Sequence, residues 1–165
     1  MISKKLSAFL EAQKIQYTPM VHKTVYTAYD AAQTLKVKLN EVAKVVVVHV
    51  APKIQFGAGA KDYLLLVLPA QLRVDFAKVK KLLKLTKIKI IQEQVMTKVI
   101  KAKPGAVTPF ALFYNLPVFI DKALLKTKSV LVSGGAYTDS LKVKVADLIK
   151  VGGKVLGSFG EKHKK

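Results

Sequence analysis

Four valines in a row, Val45 to Val48, follow directly on Lys44 and lead into His49 and Val50. Side chains alternate across a strand, so an unbroken apolar run places apolar groups on both faces and leaves neither face to water. The run predicts a short strand buried on both sides, entered through Glu41-Val42-Ala43-Lys44. A lysine at that mouth lays its stem along apolar surface and turns its ammonium into whatever cleft opens at the strand end. The competing reading is a lysine that snorkels to the surface, in a chain that has 28 of them.

The rest of the chain supplies partners for that strand. Ser3 caps a first helix running to about Lys14 with Leu6, Phe9 and Leu10 on one face, and Pro19 forces Tyr17 to His22 into an extended segment. Thr27 with Asp30 opens a second helix, in which Ala28, Ala31, Ala32 and Leu35 follow helical spacing and imply close packing. Pro52 to Asp62 reads as a hairpin loop, followed by a second apolar strand, Tyr63 to Leu68. Asp75 caps a third helix with Phe76, Val79, Leu82 and Leu83 inward and a lysine row outward. A brief strand at Ile88 to Ile91 and a helix over residues 92–100, with Val95, Val99 and Ile100 buried, come next. Lys103 to Phe110 is a loop whose path two prolines and a glycine fix. Strands are expected at Leu116 to Ile120, Ser129 to Val132, Leu141 to Val145 and near Lys154 to Phe159, with a short helix from Ala146 to Val151. The tail from Glu161 to Lys165 is expected to be mobile.

At 165 residues the chain reads as one domain, residues 1–165, able to bury about 70% of its unfolded surface. Its apolar stretches fall well short of the roughly 18 to 20 residues of a membrane span, and no signal peptide is visible, so a cytoplasmic protein is the default expectation. The formal net charge of +19 points to a polyanionic partner, nucleic acid first. With a single arginine, Arg73, the chain lacks the planar forks that read bases bidentately, which disfavours recognition of a DNA sequence. A general lysine bias on solvated faces is the plainer explanation of the charge.

Much chemistry is excluded. There is no cysteine, hence no thiolate nucleophile, disulfide or zinc-thiolate site. His22, His49 and His163 show no metal-ligand spacing, and neither a nucleophile elbow nor a phosphate loop or dinucleotide fingerprint is present. No metal or cofactor is expected. What remains is Lys44 and two glycine-bearing loops, Gly105 to Pro109 and Ser133 to Gly135, whose main-chain groups can approach a ligand closely. Such equipment suits a substrate that is already labile.

Thr27-x-x-Asp-Ala-Ala32, Glu41-Val-Ala-Lys44 before a valine strand, Tyr63-x-Leu-x-Val-Leu-Pro-Ala70 with Arg73-Val-Asp75, Pro104 to Phe110, Val118-x-Ile-Asp121, Ser133-Gly-Gly135 and Ala146-Asp-Leu148 occur in this order. The series resembles the aminoacyl-tRNA deacylases of the YbaK and prolyl-tRNA-synthetase editing-domain family, from about residue 17 to residue 159. The resemblance implies an α+β domain with a twisted mixed sheet curled towards a barrel and helices around it. It also implies hydrolysis of the ester joining a wrong amino acid to the tRNA 3′ end, without metal or covalent enzyme intermediate. By position, Lys44 would anchor the terminal nucleotide, Gly105 would help position water or the ribose hydroxyl, and Ala106, Val107, Thr108 and Pro109 would shape the aminoacyl pocket. Ser133, Gly134 and Gly135 would line the opposite wall, with Asp121 a weaker carry-over. His22 is a candidate for the cleft rim, against a structural role. Ala111, where the family often has glycine, and Val45, where relatives often carry a polar residue, depart from the pattern. Partners implied are mischarged tRNA and, further, an aminoacyl-tRNA synthetase. Two alternatives stay open: a non-catalytic RNA-binding module of the same fold, and a hydrolase of some other small activated ester.

Overall fold

The structure is a computed structural model that describes residues 1–163. Ser3 caps α1 (Lys4–Ala12) by accepting from Leu6 N–H at 3.1 Å, and Leu6 and Leu10 are buried beneath it. After β1 (Tyr17–Val21) comes α2 (Ala28–Leu35), capped by Thr27 Oγ1, which accepts from Asp30 N–H at 3.0 Å. A 3-10 turn at Leu39–Glu41 delivers the chain into β2 (Ala43–Phe56), which pairs antiparallel with β3 (Gly59–Pro69). Next are β4 (Leu72–Val74), α3 (Phe76–Leu83), β5 (Lys87–Ile90), α4 (Glu93–Ile100), α5 (Ala111–Tyr114) and β6 (Val118–Asp121). The hairpin of β7 (Ser129–Ala136) and β8 (Asp139–Lys144), then α6 (Val145–Lys150), β9 (Gly153–Gly157) and β10 (Gly160–Lys162), complete it.

These elements make an α+β fold. A five-stranded mixed sheet has the order β5-β2-β3-β6-β9, antiparallel on the β2 side and parallel from β3 through β6 to β9. A three-stranded antiparallel sheet, β1-β8-β7, forms a separate ladder, and β10 pairs with β4. The sheets stay open and do not close into a barrel. Leu64 to Leu68 at the centre are all 0% exposed, because one apolar cluster packs on each face of the sheet. Leu65, Val67 and Val47 face the cluster shared with α1, α4, α6 and the small sheet, while Leu64, Leu66 and Val48 face Val79 and Phe159. The valine run obeys the same alternation, although Val45 and Val46, nearer the strand mouth, are only partly covered.

Several expectations are corrected. The supposed loop from Pro52 to Asp62 is mostly ladder: pairing slips between His49 and Ile54, resumes, and turns only at Gly57-Ala58. Pro52 occupies the slipped stretch, where a strand loses no ladder bond to it. Leu82, expected inside, is 44% exposed. In α4 it is Met96 and Ile100 that are buried, with Val95 and Val99 at the margin. Of the expected mobile tail, Glu161 and Lys162 are paired with Arg73 and Leu72, and an Arg73–Glu161 ion pair of 2.8 Å adds to the tie. Residues 164–165 lie outside the described residues.

Candidate functional site

The two larger sheets meet where β2 begins. A parallel bridge between Val42 and Leu131 ties the foot of β2 to β7, and beside it opens a cavity of about 70 Å³. Where one water needs about 10–15 Å³, this holds a small acyl group or several waters. Lys44, Gly105, Val107, Ser133 and His22 all line it, brought together from four separate stretches of the chain. Small residues of α2, Ala28 and Ala31, form one wall, and Asp139 and Ser140 of β8 another.

Lys44 stands on a boundary. Alternation along β2 puts it on the face of Val46 and Val48, opposite Ala43 and Val47. It lines the cavity and also a groove formed with Val46, Arg73, Phe76 and Ile90. Burial pushes its amine below the ordinary lysine value, since the ammonium loses hydration there. No carboxylate among the described residues forms an ion pair with it.

The glycine loop is fixed by close approach. Gly105 has φ +80°, and a Cβ there would collide with the Tyr26 carbonyl oxygen, so only glycine fits without moving the loop. Behind it the Thr108 N–H donates to Tyr114 Oη at 3.1 Å, pinning the loop to α5. Burial pushes the Tyr114 hydroxyl up to about 12, with the Thr108 N–H bond working the other way. Thr108 Oγ1 is buried without a partner among the described residues. Across the cavity, Ser133 Oγ accepts from Gly135 N–H at 3.1 Å, which shapes the second glycine turn.

His22 is held at both nitrogens. A carbonyl only accepts, so Nδ1 donates to Lys23 O at 2.7 Å, and in the neutral ring Nε2 accepts the Ser140 hydroxyl at 2.9 Å. Asp139, 4% exposed, accepts from the Thr138 hydroxyl at 3.0 Å and is ion-paired with the Met1 ammonium at 2.9 Å.

Other expected site residues stand elsewhere. Ala106, Thr108 and Pro109 are buried behind the loop's inner surface, and Gly134 and Gly135 back the Ser133 turn without lining the cavity. Asp121 is corrected: it is 1% exposed, and its carboxylate accepts from the N–H groups of Ala123, Phe159 and Gly160. It joins the end of β6 to the β9–β10 connection, away from the cavity. His49 is hydrogen-bonded to Asp62 at 3.2 Å, also away from it. Sequence reasoning missed Val25, Asp139 and Ser140 as wall residues. A usable signal existed, because extending the Ser133 hairpin places Ser140 opposite Ser133 in the register.

The class that fold and cavity define is an α+β domain with a small cavity between two sheets, lined by small apolar residues together with Lys44, His22, Ser133, Asp139 and Ser140. The chain belongs to the aminoacyl-tRNA editing domain family, whose model matches residues 22–151. Solved structures share the fold over nearly the whole length. Hypothetical protein APE2540 is 21% identical, with TM-score 0.82 over 96% of this chain and 100% of that one. A protein proposed as a trans-editing enzyme for prolyl tRNA synthetase is 18% identical, with TM-score 0.77 over 98% and 99%. No curated protein matches the sequence. Among the described residues no helix is long and apolar enough to cross a membrane.

Proposed function

We propose that the protein is an editing hydrolase that removes a wrongly attached amino acid from the 3′ end of tRNA. The observation that carries this reading is the convergence of Lys44, Gly105 and Ser133 on one small cavity. An aminoacyl ester is activated, and the neighbouring ribose hydroxyl can assist, so orientation and oxyanion contacts supply most of what the reaction needs. Water adds to the ester carbonyl carbon, the carbon–oxygen bond to the ribose breaks, and the ribose oxygen takes up a proton as the free amino acid leaves. In this scheme the Lys44 ammonium holds the terminal nucleotide at the cavity mouth. Main-chain groups at Gly105 face the reacting ester, and Val107 and the α2 alanines limit the acyl group to a small one. The His22–Ser140 pair fixes a polar wall on the opposite side, where a water or the substrate amino group finds partners. A synthetase bound to the same tRNA is the partner this reading implies.

The test incubates the protein with a panel of aminoacyl-tRNAs, alanyl- and cysteinyl-tRNA for proline among them, and measures released amino acid. Release from at least one of them supports the reading; folded protein that releases none from any refutes it. The net charge of +19 favours a second reading, an RNA-binding module that retains the cavity without turnover. Salt-sensitive tRNA binding without ester hydrolysis selects that one.

A further inference from the structure

The loops that close the cavity mouth carry two aromatic rings with no part in the cavity wall itself. Tyr26 lies between Val25 and Thr27, both wall residues, and Tyr137 follows Ala136, another. The ring centroids are 4.8 Å apart and the planes stand at 66°, a corner instead of a sandwich. The Tyr137 hydroxyl donates to the Pro104 carbonyl at 2.8 Å, one residue before Gly105, and Val25 N–H donates to the Tyr137 carbonyl at 2.9 Å. The corner is therefore fixed to the same loops that position Gly105. Even so, Tyr26 is 62% exposed. The Tyr26 ring, set against the half-buried, hydrogen-bonded Tyr137 ring and left open beside the cavity, is a stacking platform without its partner.

We propose that the Tyr26–Tyr137 corner stacks the base of the substrate's 3′-terminal nucleotide, a purine. The inference rests on the deacylase reading, and the geometry follows from it. An ester seated in the cavity leaves its ribose at the mouth, and the base then lies one sugar ring away, on the rim. A base laid on the face of one ring abuts the edge of the other. The chain has a single arginine, and that one is paired with Glu161, so guanidinium stacking has little to offer here. Lys44 then holds the phosphate side of the nucleotide while the tyrosine corner holds the base.

The chain has six tyrosines and no tryptophan, so tyrosine fluorescence reports stacking without interference. The full-length protein is titrated with adenosine 5′-monophosphate and, separately, with ribose 5-phosphate, which has the sugar and phosphate but no base. Saturable quenching by the nucleotide alone is expected. Tyr26→Leu and Tyr137→Leu each weaken nucleotide binding about tenfold, as loss of one base–aromatic stack does. Tyr137→Phe removes the hydrogen bond to Pro104 but keeps the ring, and binds within about twofold of the parent protein. Absence of saturable nucleotide binding, equal binding of ribose 5-phosphate, or leucine variants that bind as the parent does each overturn the proposal. So does a Tyr137→Phe loss as large as the leucine one, which would make Tyr137 a positioning residue for the loop. The assay needs no turnover, so its failure is separable from failure of the deacylase reading.

Discussion

At Lys44 one side chain carries opposing demands. Its amine is partly stripped of water, so the unfolded chain holds the proton more tightly than the folded protein does. Between the lowered folded value and the ordinary 10.5 the unfolded state binds more protons, and stability rises with pH across that interval. Below it the charged amine is a constant cost. Lys44→Met, which keeps the stem and removes the charge, is expected to abolish deacylation while leaving the thermal midpoint unchanged or higher at neutral pH. It should also flatten the alkaline rise in stability, and thermal melts from pH 7 to 10.5 check both. Gly105 behaves differently, because its backbone at φ +80° and its approach to Tyr26 leave no room for a methyl group. Gly105→Ala is expected to lower stability by more than about 1 kcal/mol and to cut the ratio kcat/KM at least tenfold by moving the loop. Denaturant titration and steady-state kinetics read the two effects. That Lys44 sits at a strand mouth was legible from the valines after it. That Asp121 belongs to a structural knot was not, since its three N–H donors come partly from residues 38 and 39 positions later.

Among the elements, what periodicity and caps could show was shown: Ser3, Thr27 and Asp75 all cap the helices that follow them. The long β2–β3 ladder was hidden because Pro52 and two glycines read locally as a loop, while the antiparallel pairing that continues past them is a tertiary fact. The cavity wall was legible only in part for a related reason. Ser140 could be read from the β7–β8 hairpin opposite Ser133, but Asp139 and Ser140 become wall residues only once β8 also pairs with β1, which no local pattern specifies. The loop that carries Gly105 is held from behind by α5, a four-residue helix without a side-chain cap. Its Tyr114 hydroxyl is the acceptor for the buried Thr108 N–H. Tyr114→Phe leaves that N–H unpaired, at a cost of about 1–3 kcal/mol, and lowers the thermal midpoint by roughly 2 to 12 °C. The parent protein also loses stability as pH rises from 10 towards 12, because the unfolded tyrosine ionises first and the folded one stays neutral. In Tyr114→Phe that particular loss is absent, and alkaline melts of the two proteins measure the difference.

For the molecule as a whole, the site lies where the foot of the five-stranded sheet touches the small sheet, and the lysines lie mostly outside it. On the deacylase reading, the charge of +19 acts as a field around the cavity that attracts an RNA backbone without choosing a sequence. Affinity for tRNA should fall steeply between 50 and 200 mM salt, roughly in proportion to the phosphates neutralised, while hydrolysis of an aminoacyl-adenosine stays nearly constant. Filter binding and ester-release assays across that range compare the two. The central claim is that the cavity ringed by Lys44, Gly105 and Ser133 is where an aminoacyl ester is cut. Its most direct test is single-turnover release of labelled amino acid from a panel of aminoacyl-tRNAs by the parent protein and by folded Lys44→Met. Release by the parent and none above background by the variant, whose thermal midpoint is no lower, is the predicted result; release by neither, or equally by both, contradicts it.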